Sequence, residues 1–383
     1  MKLTLKRWLG MAIWTALQLA CYAQGQEVTR EASASGIDPR SLLSLNSSAY
    51  LNDLLAETVV DNGQKSNIAF IKTHKTGGTT LSTLLARYGQ RHRLKIAYYK
   101  HVENGRRVFL PVVDAAPKIL EECGGRVDMI HYHICGPLAG LHNRNWEDIE
   151  SGYKAIMRDP ENINYITIIR EPREHLLSFY YYFIEPFSKL SIGDFLERSM
   201  DDLDHKRLKL LNNPLSREFS VVTHEDLDHF VHVALPKFDL VFLGEEFDEG
   251  LMVLRRLLGW HMIDVTYTKK LNISEKSKSF WVNEKGEEVH TRPRFVDLSV
   301  SAQMRIDELT ALDRILYEHG KAAWEKAREP FAQDIEKDLN EFHELQSALH
   351  ENLLSKPRGS AAQMYNLGSV LGPPLPQDVD FVF

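Results

Sequence analysis

The sequence predicts an α/β fold in which a parallel β-sheet is covered by helices on both faces. Four short, continuous apolar runs recur along the chain, and a helical pattern follows three of these runs. Strands that are buried on both faces have such continuous runs, whereas half-exposed strands alternate. With 383 residues, 43% hydrophobic and 26% charged, the chain has enough apolar material for a large core.

The predicted strands lie at residues 68–72, 127–134, 165–169 and 240–243. Helices are predicted after the first, third and fourth strands, over 80–88, from about 174 to 184, and through Leu251, Leu254 and Leu258. In an open parallel sheet, ligands bind at the carboxyl ends of the strands. We therefore expect the functional residues to follow the first and third strands.

The C-terminal part of the chain is predicted to be helical. Its first stretch has near-helical spacing of Ile306, Leu309, Leu312 and Leu316, and a second stretch follows Pro330 and ends at about Leu354. Proline and glycine recur over 356–383, which predicts a flexible tail. Residues 65–355 are thus the predicted globular domain.

The N-terminal residues 1–23 have the pattern of a targeting segment, since Lys2, Lys6 and Arg7 precede an uncharged run over 8–23. A helix of that run spans roughly 24 Å, short of a hydrocarbon core of about 30 Å. A cleaved signal peptide and a short signal anchor both fit, and residues 24–64 are predicted to form a stem. In an oxidising lumen, Cys123 and Cys135 form a disulfide or remain buried thiols.

The net charge of −7 argues against nucleic acid as a partner, so an anionic ligand needs a local basic site. Such a site is predicted in "NIAFIKTHKTGGTTL", where a strand, a glycine-containing loop and a helix follow one another. The predicted ligand-binding residues there are Lys72, His74, Lys75, Thr76, Gly77, Gly78, Thr79 and Thr80. Lysine precedes the glycines, unlike in the triphosphate-binding loop, and the chain has no metal-ligand spacing, so no metal is expected.

A second anion-binding element is predicted in "YITIIREPREHLLSFYYYF", where Arg170 ends a strand and Pro172 begins a helix. Ser178 lies two turns into that helix, so arginine and serine can bind one phosphate from two sides.

These two stretches resemble the galactose-3-O-sulfotransferase family, Golgi enzymes that use 3′-phosphoadenosine 5′-phosphosulfate. Residues 238–272 resemble the same family, and 312–329 and 365–372 do so more weakly. The resemblance implies a P-loop-like sheet of the sulfotransferase type and a catalytic domain over 65–355. It implies sulfate transfer to a sugar hydroxyl, foremost the 3-OH of galactose in a glycolipid such as galactosylceramide or in a glycoprotein glycan.

Location also follows from the resemblance: a single-pass type II protein of the Golgi membrane, or a secreted protein if the leader is cleaved. The oligomeric state stays open. A glycosaminoglycan O-sulfotransferase is the alternative within the class, and a P-loop kinase or a non-catalytic nucleotide-binding protein is the alternative outside it.

Carried over by residue, the resemblance assigns Lys75 to the 5′-phosphosulfate and Arg170 with Ser178 to the 3′-phosphate. It places Lys72, His74 and His133 beside the acceptor, and Arg207 is a candidate for the family's Arg-Asn segment. We expect His74 to be the general base, with His133 second. His131, on the same strand face as His133, is another candidate partner.

Overall fold

The computed structural model describes residues 65–97, 101–103, 106–108, 112–133, 145–197, 207–267, 281–282, 288–289 and 292–354. The predicted targeting segment, stem and tail lie outside these residues, as does Cys135. Cys123 forms no disulfide among the described residues. None of the helices in the described part of the chain is long and apolar enough to cross a membrane.

The strands of the described residues are β1 Ile68–Ile71, β2 Ile96–Ala97, β3 His101–Glu103, β4 Arg106–Val108, β5 Met129–Tyr132, β6 Asn164–Ile169, β7 Phe238–Leu243, β8 Trp281–Val282 and β9 Glu288–Val289. Five of them form one sheet in the order β2-β5-β1-β6-β7. Every pairing in this sheet is parallel. The pairs β3–β4 and β8–β9 are separate antiparallel ribbons.

The helices of the described residues are α1 Gly78–Arg91, α2 Val112–Glu122, α3 Trp146–Ile156, α4 Pro172–Phe183, α5 Glu185–Ser188, α6 Ile192–Glu197, α7 Pro214–Arg217, α8 His224–His229, α9 Phe247–Leu258, α10 Met262–Val265, α11 Val300–Leu309, α12 Ala311–Arg328 and α13 Ala332–Leu354. A π-helical turn, Phe230–Ala234, follows α8. Helices surround the sheet, which confirms the α/β fold class and the C-terminal helices predicted from the sequence.

The four predicted strands are β1, β5, β6 and β7, with ends shifted by one or two residues. Val127, predicted to start the second strand, instead forms a single bridge with Met157. The first C-terminal helical stretch is divided at Thr310, whose hydroxyl donates to the carbonyl of Ile306. Asn213 accepts the backbone N–H of Leu312, so the chain begins a new helix, α12, there.

The sheet lies at the centre of the core, and β1 and β6 are buried along their whole length. This explains their uninterrupted apolar sequences, since both faces of each strand contact helices or loops rather than water. The parallel order brings the ends of β5, β1 and β6 to one edge. Residues 72–80, His133 and Arg170 follow those three ends, as the sequence predicted.

Candidate active site

The loop after β1 is anchored to the neighbouring strands. The N–H of Lys72 donates to the carbonyl of Tyr132 at 3.0 Å, so pairing with β5 continues past the end of β1. The Thr73 hydroxyl donates to the carbonyl of Ile168 at 2.5 Å and lies 2.8 Å from the Thr76 hydroxyl. Lys75, between the two threonines, has a φ of 61°. A lysine held in the left-handed region indicates that its surroundings dictate the turn.

The two glycines of this loop are needed for different structural reasons. Gly77 has a φ of 94°, a conformation in which any side chain is strained. At Gly78 a Cβ would lie 3.1 Å from Cγ of Lys72 and 3.3 Å from the carbonyl oxygen of Thr73. The stem of Lys72 therefore lies across the first turn of α1, in the space that a side chain at Gly78 would take.

Arg170 contacts this loop directly. Its Nη1 donates to the carbonyl of Lys75 at 3.3 Å, and its Nη2 lies 3.4 Å from Glu174 on α4. Four residues further along α4, on the same helix face, lies Ser178. Tyr182 follows at the same spacing, and its ring lies 4.2 Å from the ammonium of Lys75. The two predicted anion-binding elements are thus neighbours, and Ser178 lies on the helix face between their contacts.

Positive charges are concentrated at this edge of the sheet. Burial lowers the pKa of Lys72 to about 8. Burial lowers the pKa of Lys75 to about 8 as well, and the charges of Arg292 and Arg170 add to the effect. Arg292, which the sequence analysis did not identify, lies over the ring of Tyr181 at 5.0 Å. The charges of two arginines thus act on Lys75, and such a concentration of cations favours a bound anion.

A cavity of about 320 Å³ opens beside the loop. Its lining comprises Thr76, Gly77, Thr80, Arg170, Glu174, Gly244, Glu245, Phe247 and Tyr267. Phe247 and Tyr267 meet edge to face with their centroids 5.8 Å apart. Loop residues and Arg170 thus contribute polar groups to a cavity that also has aromatic rings. Lys75 and Ser178 are not part of this lining.

His74 lies in a second cluster at the same edge. Its Nδ1 is 2.6 Å from Oε1 of Glu218, and its ring stacks on His133 with centroids 3.9 Å apart and planes 18° apart. Oε2 of Glu218 lies 3.8 Å from Nδ1 of His133. Glu218 is only 1% exposed, so this carboxylate faces the histidines rather than water.

The protonation states in this cluster depend on one another. Burial acts to raise the pKa of Glu218, but the charge of protonated His74, the hydrogen bond from His74 and the nearby His133 ring outweigh burial and hold that pKa well below its usual range. Burial, together with the charge of His74, holds the pKa of His133 far below its ordinary value. Burial and the charge of Lys72 lower the pKa of His131 to about 3. At neutral pH, Glu218 is therefore ionised and both strand histidines are neutral.

The structure brings His133, and not His131, against His74. His131 and His133 are two residues apart and so lie on the same face of the sheet, but His131 lies within β5, paired with Phe70. His133, one residue past the strand end, reaches the loop after β1.

Glu218 was missed because it occurs in "LSREFS", which matches no motif. Arg207, the other candidate, lies on the chain ahead of α7, and Glu218 immediately follows that helix.

A buried framework holds the short helix that precedes Glu218. Asp313 of α12 accepts the backbone N–H groups of Leu215 and Ser216 at 3.1 and 2.7 Å. In return, Asn213 accepts the N–H of Leu312 at 2.8 Å. These bonds join the start of α7 to the start of α12.

Among the described residues, His74, His133 and Glu218 have ligand-type atoms close enough to hold a metal ion, all within 4.8 Å of one another. Their geometry argues against that use. The rings are nearly parallel and stacked, so one ion cannot lie in both ring planes. Nδ1 of His74 and Oε1 of Glu218 are 2.6 Å apart, whereas two ligands of a tetrahedral zinc ion stand about 3.3 Å apart. The distance instead fits a hydrogen bond.

Comparisons with known proteins indicate a family. The sequence pattern of the galactose-3-O-sulfotransferase family matches residues 3–358. Galactosylceramide sulfotransferase of Homo sapiens is 31% identical over 326 residues, 80% of this chain and 66% of that protein. The Bos taurus protein of the same name is 32% identical over 70% of this chain and 59% of its own length. Galactose-3-O-sulfotransferase 3 of Mus musculus is 25% identical over 74% of this chain. The chain spans less than two thirds of the length of these relatives.

Proposed function

The chain belongs to the galactose-3-O-sulfotransferase family, and from this premise we propose that it transfers sulfate from 3′-phosphoadenosine 5′-phosphosulfate to a galactose hydroxyl. The observation that carries the proposal is the contact between Arg170 and the carbonyl of Lys75. Through this contact, the two anion-binding elements form one continuous site beside the His74–His133 pair.

The residues present fit such a donor. It carries charge at both ends of one nucleoside, and the site offers cations in two places. The loop over 72–80 would bind the phosphosulfate through its backbone, Lys75 and the hydroxyl groups of Thr76 and Thr80. Arg170 would bind the 3′-phosphate with Ser178, since its guanidinium has five donors and its contacts with Lys75 and Glu174 are long.

The nucleoside would occupy the cavity of about 320 Å³. Small-molecule sites commonly have volumes of about 300–1,000 Å³, and this one is at the lower end. Phe247 and Tyr267 line this cavity, and a Cβ at Gly77 would lie 3.6 Å from the Phe247 ring. Aromatic rings in this position favour stacking with a base.

The donor supplies an activated sulfuryl group, and the protein has to align it and manage the charges. His74 would accept the proton of the acceptor hydroxyl, which is a poor nucleophile until the proton is taken. Lys75 would stabilise the charge on the departing phosphate oxygen, and Lys72 the charge on the sulfuryl oxygens. Because both lysines have a pKa of about 8, they are mostly protonated at neutral pH.

The names of the relatives support a galactose acceptor, with the 3-OH of galactosylceramide as the first choice and a glycoprotein glycan as the second. We place the protein in the Golgi membrane, held by its N-terminal segment with the catalytic domain in the lumen. The basic flank and uncharged run over 1–23 support this location.

The full chain, purified in detergent, should be incubated with radiolabelled donor and a panel of acceptors. Galactosylceramide is the test acceptor, and glucosylceramide, which differs only in the configuration of one hydroxyl, is its matched control. We expect label on galactosylceramide and little on glucosylceramide. Label on desulfated glycosaminoglycan alone would move the acceptor to that class. ATP-dependent phosphorylation without any sulfate transfer would overturn the proposal in favour of a kinase.

A further inference from the structure

The cluster of His74, Glu218 and His133 contains a carboxylate to which neither the sequence motifs nor the fold assign a role. We propose that Glu218 is a positioning residue for the base, and this proposal rests on the proposed function. Glu218 accepts the Nδ1–H of His74 and thereby makes Nε2 the nitrogen that takes the acceptor proton. Its charge then balances the imidazolium that forms.

The short contact determines the tautomer of His74. An ionised carboxylate has only acceptor sites, so at 2.6 Å the proton of the hydrogen bond belongs to Nδ1. A neutral imidazole protonated at Nδ1 has its lone pair at Nε2. Glu218 therefore selects the nitrogen at the far side of the ring from itself as the basic one.

The buried charge of Glu218 has a second consequence. A carboxylate that is 1% exposed is costly unless it is paired, and here Oε1 accepts the hydrogen bond of His74 while Oε2 lies 3.8 Å from Nδ1 of His133. During transfer the acceptor O–H bond breaks and its proton moves to Nε2, while the oxygen uses the freed electron pair to bond sulfur. The bond from sulfur to the phosphate oxygen breaks, and its electron pair leaves with adenosine 3′,5′-bisphosphate. The resulting imidazolium faces an anion that is already in place, so no reorganisation is needed.

His133 supports this arrangement without sharing the proton transfer. Its pKa is held far below the ordinary value, so it stays neutral beside Glu218. Its ring covers one face of His74 at a centroid distance of 3.9 Å, and Phe183 meets the His74 ring edge-on at 5.4 Å. Two packed neighbours limit rotation of the His74 ring and keep Nε2 on one side.

Glu218 is itself rigidly placed. Its backbone N–H donates to the carbonyl of Leu215 at 3.1 Å, at the end of α7. The start of α7 is bound to Asp313 through Leu215 and Ser216. Groups that position a catalytic side chain need such support, because small displacements weaken their effect.

The first test needs no substitution. With ¹⁵N-labelled histidine in the full chain, the shifts of the two ring nitrogens report the tautomer, and a His74→Gln sample assigns the signal. We expect His74 to be protonated at Nδ1, with that proton at low field because of the short bond. A His74 ring protonated at Nε2 would overturn the proposal. This measurement stands even if no galactoside is sulfated, so it is separable from a failure of the proposed function.

The second test is Glu218→Gln, which keeps the volume but removes the charge and can either donate or accept. We expect kcat to fall about 10²-fold or more, while KM for the donor and the Kd of adenosine 3′,5′-bisphosphate stay near wild type. The control is Glu308→Gln, whose carboxylate is exposed and pairs with Arg305. A kcat within about threefold of wild type would overturn the proposal. So would loss of activity in EDTA that Zn²⁺ restores, since the cluster would then hold a metal.

Discussion

Two buried carboxylates, one at the start of α7 and one just after its end, have different roles. Asp313 accepts two backbone N–H groups at the start of this helix, whereas Glu218, just after its end, faces the rings of His74 and His133. Burial raises the pKa of Asp313 to about 7, although the backbone N–H groups of Ser216 and Leu215 act against it. The pKa of Glu218 is instead held well below its usual range by the histidines.

The comparison shows that burial alone does not decide the charge of a carboxylate. Neutral amides stabilise Asp313 only partly, so its charge is marginal at neutral pH and its contacts are structural. Titratable partners keep Glu218 ionised and couple it to a proton acceptor. A buried carboxylate facing histidines at a strand edge is therefore the better indication of a catalytic site.

The largest expected effect is a loss of turnover when the region around Glu218, rather than that around Asp313, is changed. His74→Ala should lower kcat by about 10²–10⁴-fold, because it removes the proposed general base. Binding of adenosine 3′,5′-bisphosphate should remain, since other residues hold the nucleotide. Steady-state kinetics and calorimetry measure both quantities. His319→Ala is the control, because His319 is exposed on α12; equal rates in both variants would transfer the role of base elsewhere.

Asp313→Asn should act on stability instead. Asparagine sets its NH2 group against one of the two N–H donors, whereas the hydroxyl oxygen of the protonated carboxyl group can still accept. At pH 6 the free energy of unfolding should therefore fall by about 1–3 kcal/mol. Urea unfolding measures this, and kcat per folded molecule should fall far less than in Glu218→Gln, because asparagine keeps one of the two bonds that hold the start of α7. Asp228→Asn is the control, because its side chain is 77% exposed. A loss of kcat with unchanged stability would show that Asp313 belongs to the catalytic region after all.

The pH dependence of the difference in unfolding free energy between wild type and Asp313→Asn is a sharper test. The pKa of Asp313 is about 7 when folded and about 3.9 when unfolded, so its contribution to stability is full below about pH 3.9 and is lost as pH rises from there through about 7. The advantage of wild type over Asp313→Asn should shrink from pH 5 to 8, by at most about 1.4 kcal/mol per pH unit. Unfolding curves at four pH values would show it, and a constant difference would contradict the titration.

Below pH 6.5, the stability of both wild type and Asp313→Asn should change in the opposite direction, falling as pH falls. Burial lowers the pKa of His131 to about 3 and of His175 to about 4, and it also holds that of His133 low. Their unfolded forms bind protons near pH 6.5, so stability is lost as pH falls below that value. Because this effect is common to wild type and Asp313→Asn, it cancels in the difference.

The smallest effect concerns the loop after β1. Gly77→Ala places a side chain at a φ of 94° and should cost about 1–2 kcal/mol of stability. Gly124→Ala is a matched control, since Gly124 also has a positive φ, 61°, and open space around it. Melting temperatures should fall in both, whereas nucleotide binding should weaken only in Gly77→Ala. Equal binding in the two variants would detach Gly77 from the nucleotide site.

The sequence was informative where local pattern decides structure. The runs "IAFI" and "NYITII" become β1 and β6 because strands buried on both faces need uninterrupted apolar residues. Lys75 and Arg170 could be predicted to meet, because both follow such strands and parallel strands end at one edge. The assignment of these residues to the two ends of the donor stays a prediction.

Other parts of the site depend on contacts between distant segments. Glu218 is 144 residues from His74, and nothing in its own neighbourhood marks it. Arg292 follows a polar stretch, yet it lies near Lys75 because Tyr181 and Glu185 hold it there. The division at Thr310 likewise depends on Asn213, almost one hundred residues away. Such partners follow from tertiary packing, which a local pattern does not encode.

The central claim is that Arg170 and the loop after β1 hold the two ends of one nucleotide. Calorimetry with adenosine 3′,5′-bisphosphate and adenosine 5′-monophosphate tests it in wild type and in Arg170→Ala. A hydrogen bond to a charged group contributes about 1.5–3 kcal/mol, so removing the 3′-phosphate should weaken binding to wild type by about tenfold or more. In Arg170→Ala the same removal should have almost no effect. An equal loss in both proteins would show that Arg170 does not bind the 3′-phosphate and would contradict the account.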